Sequence, residues 1–278
     1  MIPSHRVMAQ ILCIAGPTAS GKSARAVEEA LTRGGEVISV DSRQVYRGLD
    51  IGTEKITREE MRSVPHHLID IRDPRDAYSA GDFVKDATEL IREISARGKL
   101  PILAGGTHFY FDALLYGLPE ETNPDLTLRG ELEKLSNEEL VARINAADPD
   151  RAAALDPHNR RRLIRALEII EAHGKVPSRK LVPAYDAEWI IINPPREELR
   201  ERIDTRLEQA LDRRLVEEVR RVRRDVGDAR LNELGLEYRL VGEYLRGERT
   251  ETSLLPALSA KLWQYARRQR AWLRKLGR

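Results

Sequence analysis

Gly16-Pro17-Thr18-Ala19-Ser20-Gly21-Lys22-Ser23 follows the pattern G-x-x-x-x-G-K-S, and the reading of the whole chain turns on it. An apolar run, Ile11-Leu12-Cys13-Ile14-Ala15, precedes it and a helical pattern follows, the context of a phosphate-binding loop. Glycines at both ends let backbone N–H groups curl around an anion, and a helix N-terminus adds partial positive charge where phosphates would rest. Lys22 is expected to reach the outer phosphate and the Ser23 hydroxyl to hold Mg²⁺. A glycine-rich strand-to-helix turn that binds nothing is the plain alternative; the complete register and correct flanks argue against it. The motif specifies a di- or triphosphate, but not which.

Outward from the loop, the sequence alternates strands and helices, an α/β pattern. A helix from Lys22 to about Thr32 stops at Gly34-Gly35. A second strand, residues 36–40, delivers Asp41-Ser42-Arg43-Gln44-Val45-Tyr46 at its carboxyl end. Ligands of open α/β sheets bind beyond the carboxyl ends of strands, so Asp41 is expected on the same side as Lys22. As a bland alternative, Asp41 is a turn residue or helix cap. His66-His67 invites a metal reading, but adjacent strand residues point to opposite faces and no third ligand keeps zinc spacing. A structural or pocket-lining role is expected instead. Tyr78 to Phe83 opens a helix running to about Arg97, and Leu100–Ala104 is a third strand ending in Gly105-Gly106-Thr107. Two glycines there permit close backbone approach to a ligand, and Thr107 adds a hydroxyl.

From 119 to 187 the composition turns helical and charged, an expected insertion with short helices near 126–135, 138–147 and 159–172. Arg160, Arg161, Arg162 and Arg165 crowd one helix start, where a nucleic-acid backbone could be held; a solvated basic face explains them equally. Trp189–Ile192 reads as the last core strand. A long amphipathic helix follows from Arg196, with Arg202 and Arg206 on one face, then breaks at Gly227 and Gly247, then a final helix from about Ser253 to Lys275. That helix interleaves Trp263, Tyr265 and Trp272 with arginines, which suits a nucleic acid or a core-docked amphipathic helix. The expected organisation is 1–118 for the first part of the core, 119–187 for the insertion, and 188–278 for core completion and basic helices.

The 278 residues are 33% charged and 41% apolar with a formal net charge of +2, an ordinary globular composition. Basic residues concentrate after Arg196, placing any nucleic-acid footprint there. The one cysteine, Cys13, excludes an intramolecular disulfide. With no apolar stretch of about 20 residues and no signal-peptide pattern, no membrane association and a cytoplasmic location are expected.

Taken together, these stretches resemble the tRNA dimethylallyltransferase (isopentenyl-diphosphate:tRNA isopentenyltransferase) family. The matching segments are Gly16–Ser23, Asp41-Ser42-x-Gln44-x-Tyr46, Gly48–Thr53, Pro65–Asp70, Tyr78–Phe83, Gly105-Gly106-Thr107, Arg162-Leu163-x-Arg165-Ala166-Leu167-Glu168 and Ala266-x-Arg268-Gln269, in the family's order along nearly the whole chain. The resemblance implies a P-loop kinase-like core with a parallel sheet flanked by helices. It also implies a helical insertion gripping the anticodon stem, and Mg²⁺-dependent prenylation at N6 of the adenosine 3′ of the anticodon, in tRNAs that read codons beginning with U. The expected partners are tRNA and dimethylallyl diphosphate, and a monomer is expected. The loop residues Gly16 to Ser23 would hold the diphosphate and Asp41 would receive the N6 proton. Asp41, Ser42, Arg43, Gln44, Thr107, Arg161, Arg162 and Arg165 would contact tRNA. Two departures stand out: Leu236-Glu237-Tyr238-Arg239-Leu240 replaces the family's Gly-Tyr-Arg-Gln, and Trp263 replaces the arginine of its Thr-Arg-Gln. The alternatives are an adenylate isopentenyltransferase of cytokinin synthesis, a P-loop small-molecule kinase, and a non-catalytic RNA-binding protein.

Overall fold

A computed structural model describes residues 9–118, 125–176 and 182–276. The chain divides into two compact units, one made of Met1–Leu115 with Ala184–Arg278 and the other of Tyr116–Pro183. The expected first residue of the insertion, 119, lies outside the described residues.

In the first unit, β1 (Gln10–Ala15) leads through the glycine loop into α1 (Lys22–Arg33), and β2 (Gly35–Val40) follows. The short β3 (His66–His67), α2 (Ala80–Ala96), β4 (Leu100–Gly105) and α3 (His108–Tyr116) complete the first half. Ser79 and Asp82 form a capping box at the start of α2, an arrangement typically worth about 1 kcal/mol.

All strand pairs are parallel, in the order β3-β2-β4-β1-β5. Ile11 to Ala15 are fully buried, as expected of a strand covered on both faces. Because β4 inserts between β1 and β2, Ala15, Gly105 and Val40 stand in register across three strands. The three segments that leave those strands therefore start side by side: the glycine loop, Gly106-Thr107 and Asp41.

β5 (Asp186–Ile191) corrects the sequence reading of a core strand. It lies at the sheet edge beside β1 alone, so its apolar run cannot be covered on every side, and Ile191 is 39% exposed.

The second unit contains α4 (Leu126–Leu132), α5 (Asn137–Ala147), α6 (Pro149–Ala154) and α7 (Arg160–His173) around Leu132, Leu140, Ile144, Leu163 and Leu167. The short α6, begun by Pro149 at a position where a missing N–H costs nothing, was not legible as a separate helix.

After β5 come α8 (Arg196–Asp212), α9 (Leu215–Leu231), α10 (Leu236–Leu245) and α11 (Glu251–Leu276). Gly227, at φ 76°, ψ 170°, interrupts α9. These helices build their own core with Val45, Tyr46 and Leu49, which holds α8 and α11 against the strand ends.

Candidate active site

The glycine loop is shaped by what its residues cannot accommodate. A Cβ on Gly16 would stand 2.5 Å from Ser20 Oγ and 2.8 Å from the Ile192 carbonyl. Gly21 adopts φ 87° and Ala19 φ 61°, the second a left-handed conformation that costs an L-residue ~1 kcal/mol. No side chain caps α1 and no acidic residue occupies its first turn, in contrast to α2. Its leading amides are thus available to an anion. Lys22 folds back over the loop, its Nζ donating to the Pro17 carbonyl at 3.1 Å. Burial of its ammonium lowers Lys22 from its ordinary value to about 8, with Asp41 pulling the other way.

Two helices from the far end of the chain close over this loop. From α8, Arg206 donates to the Thr18 hydroxyl and pairs with Glu54 at 2.8 Å and Glu237 at 3.8 Å. Arg202 reaches the Ser20 carbonyl at 3.4 Å. From α11, the buried Gln269 accepts from the Thr18 amide at 2.9 Å and donates to the Gly106 carbonyl at 2.9 Å. Gly106 leaves room for it, since a Cβ there would meet Gln269 Nε2 at 2.5 Å.

At the neighbouring strand end, Asp41 Oδ1 accepts from the amides of Arg43 at 2.8 Å and Gln44 at 3.3 Å. Asp41 is therefore a turn residue and also a carboxylate beside Lys22. Thr107 joins it, its hydroxyl accepting from the Ser42 amide at 3.1 Å, so the structure brings Lys22, Asp41, Ser42 and Thr107 to one rim. Gln44 has a different position from that of a free base reader. Its amide carbonyl accepts from Ser39 and its NH₂ donates to the Thr53 and Glu54 carbonyls, which fastens the turn carrying Glu54. The Arg43 stem lies 4.0 Å from the Cβ position of Gly235, and its charge acts on Tyr265 and Tyr110.

In the second unit, Arg161 and Arg162 are exposed on the first turn of α7. Arg165 binds the buried Glu168 at 3.0 Å, sharing it with Arg129. Arg160 is structural: its guanidinium donates to the Glu133 and Leu135 carbonyls.

Sequence reasoning assigned no role to Glu218, Glu54 or Glu237. Glu218 is buried and accepts from the amides of Asp50, Ile51 and Gly52 and from Tyr238 Oη. It thereby holds the segment that ends in Glu54. Its position in a charged helix of ordinary composition gave no signal. Glu237 is 13% exposed; burial pushes its carboxyl up, Arg206 pulls it down, and Asp41 and Glu54 push it up further. The departure from Gly-Tyr-Arg-Gln was the one available sign of it. Trp263 packs under the guanidinium groups of Arg196 and Arg200, each 5.7 Å from its ring.

The tandem histidines have structural partners, His67 bonding Glu36 at 2.7 Å and His66 the Val64 carbonyl at 2.8 Å. Among the described residues, no group of three His, Cys, Asp or Glu side chains is placed to hold a metal. Mg²⁺ needs no such cage, because it binds through one or two protein oxygens together with phosphates and water. A cleft of about 430 Å³ beside the loop is lined by Lys22 together with Ser23, Glu54, Thr57 and Glu60, and the hydroxyl and carboxylate oxygens of the last four are hard donors that fit this ion.

This chain matches the family described as IPP transferase over residues 44–276. It is 43% identical to a tRNA dimethylallyltransferase of Thermomicrobium roseum, over 96% of this chain and 84% of that protein. Identity to one from Leuconostoc citreum is 42%, over 96% and 91%. The solved full-length tRNA isopentenylpyrophosphate transferase of Bacillus halodurans superposes with a TM-score of 0.72 at 39% identity, covering 96% of this chain and 87% of that one. A eukaryotic dimethylallyltransferase acting on tRNA gives 0.84 at 28% identity, with 95% and 69% covered. With a glycine loop uncapped for an anion, a carboxylate on the adjoining strand end, and relatives alike over nearly their full length, the chain belongs to the IPP transferase family.

Proposed function

We propose that this chain transfers a dimethylallyl group from dimethylallyl diphosphate to N6 of the adenosine immediately 3′ of the anticodon, in tRNAs that read codons beginning with U. The observation that carries the reading is the register Ala15–Gly105–Val40, which sets the glycine loop and the Asp41 carboxylate on one rim. A diphosphate in the loop would be a leaving group. The uncapped amides of α1, Lys22 and Arg206 oppose the negative charge that grows on it as its bond to carbon breaks. When bound, Mg²⁺ supplies further positive charge there, with Ser23 as its protein oxygen.

An exocyclic adenine amine is a weak nucleophile because its lone pair is delocalised into the ring. Asp41 is the group to take its proton: Oδ1 is fixed by two backbone amides, and Oδ2 would receive the proton. Ser42 and Thr107 would contact the base after it leaves the anticodon-loop stack, a step costing a few kcal/mol. Gln44 shapes the pocket wall, and Arg43, Arg161, Arg162 and Arg165 are assigned to the RNA backbone. Among the described residues no helix is long and apolar enough to cross a membrane. We read the protein as a cytoplasmic monomer.

The test is transfer of labelled dimethylallyl diphosphate, with Mg²⁺, to unmodified tRNA, with AMP and ATP as competing acceptors. Label in tRNA that disappears when the adenosine beside the anticodon is replaced supports the reading. Label in AMP or ATP instead would move the protein to cytokinin synthesis, and phosphoryl transfer without prenylation would make it a kinase.

A further inference from the structure

Three carboxylates surround the loop's cations, and they are not equally supported. Asp41 Oδ1 accepts two backbone amides. Glu54 pairs with Arg206 at 2.8 Å and its side chain is 44% exposed, so water also solvates it. Glu237 is less well supported: its side chain is 13% exposed, a single backbone hydrogen bond, from its own amide, favours its charged form, and among the described residues its ion-pair partner, Arg206, stands at 3.8 Å and is shared with Glu54. The charges facing Glu237 are Arg206 from α8, Asp41 from the end of β2 and Glu54 from the segment Glu218 holds. Asp41, Glu237, Arg43 and Arg268 also act electrostatically on Tyr265 of α11. Arg206 is bonded to the Thr18 hydroxyl inside the glycine loop, so an anion there competes with both glutamates for the same guanidinium.

We infer that Glu237 is the charge-compensating group of the site: it takes up a proton when diphosphate occupies the loop, and releases it when the diphosphate leaves. A buried carboxylate deprived of its cation and brought near further negative charge neutralises rather than remaining ionised. Burial and its two acidic neighbours already bias Glu237 in that direction. The proton comes from solvent and no covalent bond other than O–H is made. Arg206 is thereby freed to serve the phosphates without leaving an ionised carboxylate stranded. The inference rests on reading the loop as a diphosphate site.

The experiment is calorimetric titration of inorganic pyrophosphate with Mg²⁺ into the full chain at pH 7, in buffers of different ionisation enthalpy. It is run with and without an anticodon stem-loop carrying guanosine in place of the acceptor adenosine. The slope against buffer enthalpy counts protons taken up. Wild type is expected to take up more than Glu237→Gln, by about 0.3 proton or more per pyrophosphate bound, and its affinity should fall more steeply as pH rises from 6 to 8. The difference between the two proteins removes the contributions of pyrophosphate itself and of Lys22. Glu237→Gly provides a second measure should the glutamine variant fold poorly. Equal uptake in wild type and either variant overturns the inference while leaving the diphosphate site intact; no binding of pyrophosphate to wild type in either format overturns both.

Discussion

The Thr18 amide donates to the side-chain carbonyl of Gln269 at 2.9 Å, across 251 positions of sequence. One N–H of the glycine loop is thus satisfied by protein, and the same side chain ties the loop to the carbonyl of Gly106. Replacing Gln269 with alanine leaves that amide and that carbonyl without their partner in a closed site. A loss of about 1–3 kcal/mol is expected, read as a lower melting temperature and a raised KM for dimethylallyl diphosphate. Gln269→Glu keeps the acceptor for Thr18 but sets a carboxylate oxygen against the Gly106 carbonyl, and should be no better than alanine.

Gly105 and Gly106 are expected to differ sharply. A Cβ on Gly105 would lie 2.0 Å from the backbone carbonyl of Val40, so Gly105→Ala must push two paired strands apart. Overpacking of this kind typically costs about 3 kcal/mol, measurable by denaturant unfolding. On Gly106 the obstacle is the end of a side chain, Gln269 Nε2, which can move. Gly106→Ala should remain folded and lose activity instead.

Asp41→Asn separates the two tasks of this residue. The asparagine carbonyl can still accept from the Arg43 and Gln44 amides, so the turn and tRNA binding should persist. The proton acceptor is gone, and single-turnover prenylation should slow by about a hundred- to ten-thousand-fold. A variant that binds tRNA poorly but turns over normally at saturation would contradict the assignment.

Lys22 carries a pH signature. Burial lowers it to about 8, so the free protein loses that charge above this pH, and KM for dimethylallyl diphosphate should climb between pH 8 and 10. The guanidinium of Lys22→Arg should stay charged and flatten the climb. Linkage gives the matching sign for stability. With the folded value below the ordinary 10.5, the folded chain binds fewer protons between about 8 and 10.5. The stability penalty of Lys22 is therefore fully present below pH 8 and relieved across that window.

The glycine loop, Asp41 and the Gly105-Gly106-Thr107 turn were legible in the sequence because each is a local arrangement at the end of a strand. So was the stop at Gly34, where φ is 68°. The closing side chains were less so. Arg206 meets Glu54, Gln269 meets Thr18, and Glu218 meets Asp50, each pairing elements more than 150 residues apart, and no spacing rule links such positions. Gln44 shows the reverse limit: residue type suggested an adenine contact, whereas its amide bonds the Thr53 and Glu54 carbonyls. β5 misled because its apolar run resembles that of a central strand, and only the strand order reveals that it has a single neighbour.

The position of Arg206 and Gln269 also sets a timetable. On the ribosome the glycine loop is complete once Ser23 has emerged, but the side chains that bond Thr18 emerge only with α8 and α11. A nascent chain therefore displays the loop long before it has its finished shape. The site is assembled last, when α8 and α11 return to the glycine loop, and binding competence arrives only after α11 has emerged.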